Sequence, residues 1–127
     1  MAKYKKKLED DIRCLLEYGL AIFGGKWKSR IICVLAAKER LRYSALRKEM
    51  YNITDAVLAA TLKDLMEDGI VDRKSYDEIP PRVEYFLTQK GASVVPILQS
   101  ICAWSDIFYK EDSENEMVQC QKCDHRR

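Results

Sequence analysis

The sequence predicts a mainly α-helical domain with one small β-hairpin. Over most of the chain, apolar residues recur at spacings of three and four, which is typical of amphipathic helices. The stretch 70–87 is instead rich in β-branched and aromatic residues and contains two adjacent prolines, which indicates two strands and a turn. A chain of 127 residues, 47% hydrophobic and 33% charged, has room for one compact core.

The first two predicted helices differ in how apolar they are. Helix one has a single apolar stripe and ends at Gly24-Gly25, because glycine favours a helix end. That stripe consists of Leu8, Ile12, Leu15, Leu16, Gly19, Leu20 and Phe23. Helix two extends from Trp27 to Ala37, is more apolar, and ends at Lys38-Glu39-Arg40. We therefore expect helix two to be largely buried.

Two further helices joined by a short turn predict a helix-turn-helix motif. Ser44 is placed to cap a short helix and Thr54 to cap a longer one, because hydroxyl oxygens accept hydrogen bonds from the free N–H groups of a first turn. The Tyr51-Asn52 turn separates the two helices, and Gly69 ends the longer one. The apolar residues of these helices are Leu46 and Met50 in the first, and Val57, Leu58, Leu62, Leu65 and Met66 in the second.

A β-hairpin and a last long helix complete the predicted domain. The strands Ile70–Tyr76 and Arg82–Leu87 flank a stiff tip with two prolines, since proline cannot donate to a strand ladder. Thr88 is expected to cap the last helix, which continues to Phe108, and Pro96 is expected either to kink that helix or to delay its start. The domain thus covers residues 1–109, and a polar, flexible tail covers residues 110–127.

Positive charge is concentrated near the predicted helix-turn-helix. The net charge of the chain is only +2, but residues 26–50 contain eight basic and two acidic residues. A local surplus of this kind attracts phosphates even on a nearly neutral protein. The alternative interpretation is an ordinary solvated helix surface.

The sequence lacks the residues that characterise several classes of protein. The single histidine is His125 in the tail, and the folded region has no glycine-rich phosphate loop or nucleophile-histidine pattern. We therefore expect neither an enzyme nor a cofactor. No uncharged leader and no apolar run of membrane-spanning length are evident, and the five cysteines are odd in number and scattered. These features predict a cytoplasmic protein without a membrane partner.

Four blocks of the sequence resemble the HxlR-type regulators, which are relatives of MarR. The resemblance extends from about Cys14 to Trp104, and the blocks are Gly24-Gly25-Lys26-Trp27, Arg42-Tyr43-Ser44, Asp68-Gly69-Ile70-Val71, and Pro80-Pro81-Arg82-Val83-Glu84-Tyr85 with Leu87-Thr88 and Gly91. It implies a winged helix-turn-helix transcription regulator that binds double-stranded DNA. It also implies a homodimer, formed by the first and last helices, on a pseudopalindromic operator with half-sites about 34 Å apart.

The candidate base-contacting residues lie on the helix that Thr54 caps. Its outward side chains are Asp55, Ala56, Ala59, Ala60 and Lys63. Similar proteins usually carry Gln, Arg or Lys there, so this helix departs from the family pattern and offers almost no hydrogen-bond donors. Alanine and threonine can contact thymine methyl groups, so we expect specificity to rest on apolar contacts and on DNA shape.

Other candidate DNA contacts lie outside that helix. Arg42, Ser44 and Arg47 flank the turn and are candidate phosphate contacts, or else ordinary exposed residues. Arg82, beside the proline tip, is placed to reach the DNA backbone or a narrow minor groove. The alternative for Arg82 is a salt bridge to Glu78 or Glu84 within the hairpin.

The cysteines differ in their predicted roles. Cys33 and Cys102 lie among large apolar residues and are expected in the core. Cys14 lies off the apolar stripe beside Arg13 and matches a cysteine position of the family, so it is the candidate redox thiol. If helix one starts before Cys14, the thiol loses the activating effect of a helix N-terminus. Cys120, Cys123 and His125 have spacing that could hold zinc only with further ligands, and no native metal site is predicted.

Two functions remain open at this point. One is a DNA-binding regulator that responds to an oxidant or a small molecule. The other is a winged helix that binds a protein partner without specific DNA binding, because one fold serves both roles. The few hydrogen-bonding groups on the Thr54 helix favour the second function, whereas the basic surplus and Arg82 favour the first.

Overall fold

The computed structural model describes residues 11–112 and confirms the predicted fold class. The predicted helix residue Leu8 and tail residues 113–127 lie outside the described residues. The helices are α1 (Leu15–Phe23), α2 (Lys26–Lys38), α3 (Tyr43–Met50), α4 (Asp55–Glu67), α5 (Gln89–Ala92) and α6 (Val95–Asp112). The strands are β1 (Arg40–Arg42), β2 (Val71–Tyr76) and β3 (Arg82–Leu87).

The core forms around α2, as its apolar composition predicted. Ile31, Ile32 and Leu35 of α2 are buried, and each such side chain stabilises the fold by about 1.5–3 kcal/mol relative to an exposed one. They share one cluster with residues in or next to α3, α4, β2, β3 and α6: Leu46, Met50, Leu58, Leu62, Leu65, Ile70, Val71, Tyr85, Val94 and Leu98. The core therefore fixes the helix-turn-helix and the sheet against one common support.

The predicted helix-turn-helix is formed by α3 and α4, and one of its two predicted caps is correct. Thr54 Oγ1 accepts a hydrogen bond from the Val57 N–H at 3.2 Å. The Ser44 cap is wrong, because α3 begins at Tyr43 and its N-cap is Arg42, without a side-chain cap. The chain enters α3 directly from the extended backbone of Arg42, so the helix has started before Ser44 is reached.

The end of α4 is tied to the base of the hairpin. Gly69 has a φ of +75°, and Ile70 N–H donates to the Leu65 carbonyl at 2.9 Å, which is the glycine-dependent Schellman ending. Thr88 N–H donates to the Ile70 carbonyl at 3.0 Å. A Cβ added to Gly91 would lie 2.1 Å from that same carbonyl oxygen. We call this set of contacts the α4–hairpin junction.

The sheet contains one strand that the sequence did not reveal. Glu39, with φ 70° and ψ −62°, turns the chain out of α2, and Arg40–Arg42 then pairs antiparallel with β3. The strand order is β1-β3-β2. Three residues are too few to display an alternating pattern, so only pairing with a distant strand makes this segment β1.

The first helix starts later than predicted. It begins at Leu15, and residues 11–14 are not helical. The carboxylate of Glu17, in the first turn, accepts a hydrogen bond from the Arg13 backbone N–H at 2.9 Å, which fixes the chain in front of the helix. Cys14 is therefore the N-cap residue of α1, and the expectation that it loses the helix N-terminus is wrong.

The last predicted helix is two helices. Thr88 does cap a helix, since its Oγ1 accepts from the Gly91 N–H at 3.0 Å, but that helix is the single turn α5. A continuous helix would place the Pro96 ring against the carbonyl of Ala92, four residues earlier. The chain instead turns at Ser93, and α6 begins at Val95 and continues to Asp112. Of the two effects predicted for Pro96, the delayed start is the one found.

Candidate nucleic-acid interface

The outward face of α4 is exposed and almost without hydrogen-bonding groups. Its predicted members Ala56, Ala59, Ala60 and Lys63 are all exposed, while Leu58, Leu62 and Leu65 face the core. Thr61 is buried and donates its hydroxyl to the Val57 carbonyl at 2.7 Å, so it belongs to the inner face. Val57 is exposed and was wrongly assigned to the core.

A cluster of three polar side chains joins α3 to the first turn of α4. Arg47 Nε lies 2.6 Å from Asp55 Oδ1. The Tyr43 hydroxyl donates towards the same oxygen at 3.2 Å and towards the Asp55 backbone carbonyl at 3.3 Å. We call Tyr43, Arg47 and Asp55 the α3–α4 cluster. It brings the predicted phosphate contact Arg47 to the start of the predicted base-contacting helix.

The electrostatics of this cluster favour a neutral tyrosine. Burial raises the pKa of Tyr43, the Asp55 carboxylate raises it further, and the Arg47 guanidinium partly offsets the effect. The Tyr43 hydroxyl therefore keeps its proton and remains a hydrogen-bond donor at neutral pH. Sequence reasoning missed the cluster, although a tyrosine that precedes the helix-turn-helix and an aspartate directly after the Thr54 cap were available signals.

The sheet face that points away from the core carries cations, carboxylates and aromatic rings in register. Arg42 of β1 and Lys74 of β2 both lie opposite Glu84 of β3. Arg40 lies opposite Phe86, with its guanidinium 4.3 Å from the centre of that ring. Alternation along the strands places all of these residues on one face, which we call the outer face of the sheet.

Arg82 is held within the outer face by three neighbours. Its Nη2 lies 3.1 Å from Glu78 Oε2, its Nε lies 3.8 Å from Glu84 Oε2, and its guanidinium lies 4.0 Å from the centre of the Tyr76 ring. The side chain is only 27% exposed. The hairpin ion pairs that were the alternative for Arg82 are thus present, and its contact with DNA stays a prediction.

The predicted DNA-binding residues therefore fall into two groups. Arg47 lies with Thr54, Ala56, Ala59, Ala60 and Lys63 on or beside α4, whereas Arg42 joins Arg82 around Glu84 on the outer face. Ser44 is exposed on the first turn of α3. Within residues 11–112, its side chain makes no hydrogen bond to either group.

The cysteines with described positions differ in exposure. Cys14 is exposed at the N-cap of α1, whereas Cys33 and Cys102 are partly buried, and Cys33 packs against the core. In residues 11–112, no three His, Cys, Asp or Glu side chains come together as a metal site would require. The candidate ligands Cys120, Cys123 and His125 lie outside the described residues.

A helix-turn-helix followed by a β-hairpin, with β1 completing the sheet, defines a winged helix-turn-helix protein. Residues 22–113 match the family of HxlR-like helix-turn-helix proteins. The chain belongs to this family.

Relatives with known sequence or structure agree with this assignment. An uncharacterised helix-turn-helix-type transcriptional regulator of Methanothermobacter thermautotrophicus is 41% identical over 100 residues, which is 79% of this chain and 76% of that protein. The crystal structure of the helix-turn-helix-type regulator YtcD has a TM-score of 0.73 at 37% identity and covers 77% of this chain and 99% of its own. The structure of the redox regulator HypR in its oxidised form has a TM-score of 0.68 at 32% identity. The match covers 83% of this chain and 100% of the HypR chain.

Proposed function

We propose that this protein is a homodimeric transcription regulator that binds a pseudopalindromic operator in double-stranded DNA. The exposed face of α4, bounded by Arg47 on one side and by Lys63 on the other, is the observation that supports it most directly. In winged helix proteins such a helix enters the major groove, while basic side chains nearby contact phosphates. Regulators of this family act on DNA, and we place the protein in the cytoplasm for that reason.

Unpartnered apolar surface on α1 and α6 supports the homodimer. Leu15 is 87% exposed and Trp104 is 65% exposed. The helical stretch Gln89–Tyr109 is long and apolar enough to cross a membrane, a property that it shares with the core helices of many soluble proteins. Core helices are mostly buried, whereas only 17% of the most apolar part of this stretch is buried. Soluble monomers rarely expose large contiguous apolar patches, so a second copy is the proposed cover.

Light scattering at micromolar protein concentration tests the dimer. We expect twice the mass of one chain, and Trp104→Glu should shift the distribution to monomers because it places a charge in the apolar face. Gln89→Glu, on the short helix α5, is the control because it adds the same charge at an exposed polar position. A wild-type monomer would overturn the homodimer.

DNA binding is tested by selecting sequences from a random duplex library and titrating salt against the selected site. A regulator should enrich a two-fold symmetric sequence and lose affinity steeply as salt rises, because phosphate contacts release counterions. The few hydrogen-bonding groups on α4 favour a rival function, the docking of a protein partner. That rival predicts no enriched sequence.

We further propose that Cys14 starts a response to oxidants. HypR, a structural neighbour, is a redox regulator, and Cys14 is exposed at the start of a helix that the proposed dimer would bury in part. A disulfide from Cys14 to a thiol of the other subunit, for which diamide takes up the two hydrogens, or a bulky adduct on Cys14, would shift α1 and thereby the spacing of the two α4 helices. Treating wild type and Cys14→Ser with diamide should abolish operator binding only in wild type; an equal loss in both would overturn the assignment.

A further inference from the structure

We propose that Asp55 reads one cytosine in each half-site of the operator. The inference rests on the proposed function, because it gives a base-reading role to a residue on the helix that would enter the major groove. It assigns sequence specificity to a hydrogen bond on a face whose other predicted members are three alanines and Lys63.

The geometry of the α3–α4 cluster leaves half of the Asp55 carboxylate available. Arg47 Nε and the Tyr43 hydroxyl both contact Oδ1, at 2.6 Å and 3.2 Å. Both contacts are made to Oδ1, so they fix the orientation of the carboxylate, and neither of them uses Oδ2. The Asp55 side chain is 70% exposed. A carboxylate that is both oriented and open to solvent is suited to contact a ligand.

The position of Asp55 fits a base contact. It is the first residue of α4, and helix-turn-helix proteins contact base edges mainly with the N-terminal residues of the second helix. The Thr54 hydroxyl oxygen is already engaged as the cap, and Ala56, Ala59 and Ala60 have no polar side-chain atoms. Lys63 lies eight residues further along, which is about 12 Å in a helix.

The chemistry of the carboxylate selects cytosine. An ionised carboxylate only accepts hydrogen bonds. In the major groove, guanine and thymine present acceptors, and adenine presents its amino group beside the acceptor N7. Cytosine alone presents its amino donor without a neighbouring acceptor of its own. A carboxylate oxygen at this place is therefore attracted to cytosine and repelled, wholly or in part, by the other three bases.

Arg47 makes the approach of a carboxylate to DNA feasible. An unpaired negative charge close to the phosphates would be repelled, whereas an ion pair is neutral overall. The contact of Arg47 with Asp55 is made by Nε, and a guanidinium carries further N–H donors on its two terminal nitrogens that can reach a phosphate oxygen. The same pair thus offers a positioning contact and a base contact side by side.

The experiment compares base preference at every position of the selected operator for wild type, Asp55→Asn and Asp55→Ala. Wild type should prefer cytosine at one pair of symmetry-related positions by about tenfold over the other bases. Asp55→Asn should move the preference there to adenine, which offers an amino donor and N7 to an amide, and Asp55→Ala should remove it. Glu67→Gln, at the other end of α4, removes the same charge and should leave the profile unchanged.

The outcomes separate this inference from the proposed function. Loss of the cytosine preference at one position in both Asp55 variants supports the inference. A uniform loss of affinity with an unchanged profile would overturn it, because the cluster would then only tie α3 to α4. A wild-type protein that enriches no sequence would overturn the proposed function, and the inference with it. Circular dichroism confirms that each variant is folded.

Discussion

The outward face of α4 and the outer face of the sheet, the two surfaces of the proposed DNA-binding function, differ in chemical character. On α4, small apolar side chains surround one oriented carboxylate, Asp55, and the only exposed cation of the predicted face is Lys63. On the sheet, Arg40, Lys74 and Arg82 are stacked on aromatic rings. Under the proposed function, the comparison teaches that two tasks can be divided: a few groups on α4 choose the DNA sequence, and several cations on the sheet supply affinity.

The division requires that the two surfaces keep a fixed relative position, and the α4–hairpin junction provides it. Gly91→Ala should have the largest effect of any substitution proposed for these surfaces, because the new Cβ would lie 2.1 Å from the Ile70 carbonyl oxygen. We expect the free energy of unfolding to fall by about 3 kcal/mol, at the upper end of overpacking effects. Urea denaturation measures it.

Gly19→Ala is the matched control for that experiment. Its Cβ would meet only the Phe23 ring at 3.5 Å, an ordinary contact. Alanine also has the higher helix propensity, so stability should be unchanged or slightly higher. Equal stability of Gly91→Ala and wild type would show that the junction is not rigid.

Arg82→Ala tests whether the sheet supplies affinity without specificity. Removal of one phosphate contact should weaken operator binding about tenfold and lower the slope of log affinity against log salt by about one, with base preference unchanged. Fluorescence anisotropy at several salt concentrations measures both quantities. Arg73→Ala, on the same hairpin but opposite Tyr85 on the other face, is the control. Wild-type affinity and slope in Arg82→Ala would remove the sheet from the DNA-binding surface.

Thr54→Ala tests how far the start of α4 depends on its cap. The side chain satisfies the Val57 N–H at 3.2 Å, and loss of such a cap costs about 1 kcal/mol of stability. Thr54→Ser keeps the hydroxyl and should retain most of it. Thermal unfolding distinguishes the two variants, and identical melting temperatures for both would contradict a capping role.

Glu78→Gln should have the smallest effect of these substitutions, and it should raise the affinity for DNA instead of lowering it. It releases Arg82 from an ion pair at 3.1 Å, and because such half-exposed pairs are weak, we expect affinity for DNA to rise only about twofold. Asp77→Asn removes the same charge one residue away, where the carboxylate forms no ion pair with Arg82. If both changes raise affinity equally, the gain comes from net charge and not from release of Arg82.

The features that the sequence predicted correctly depend on local chemistry. The Thr54 cap, the Gly69 ending and the two hairpin strands depend on residues close together in the chain, and all are found. The burial of α2 followed from composition in the same way. The outward members of α4 could be named because a helix that buries Leu58, Leu62 and Leu65 must turn the remaining positions to solvent.

What the sequence did not predict depends on specific contacts that hydrophobic periodicity does not reveal, most of them between residues far apart in the chain. β1 exists only because Arg40–Arg42 pairs with β3, more than forty residues later in the chain. The α3–α4 cluster needs Tyr43 and Asp55 to meet across a turn. The late start of α1 is associated with a hydrogen bond from the Arg13 backbone N–H to the Glu17 carboxylate. Hydrophobic periodicity alone does not predict such a bond.

The turn between α5 and α6 has a consequence for how proteins of this kind can diverge. Val94 and Leu98, on either side of the α6 start, are anchored in the core, whereas Ile101, Trp104 and Phe108 further along α6 are exposed. We expect substitutions at these exposed positions to leave α4 undisturbed, because none of these side chains belongs to the core cluster that holds α4. If the proposed dimer forms through α6, duplicated copies in one cell could acquire distinct pairing preferences, and so avoid mixed assemblies, without a change in the proposed DNA-binding face.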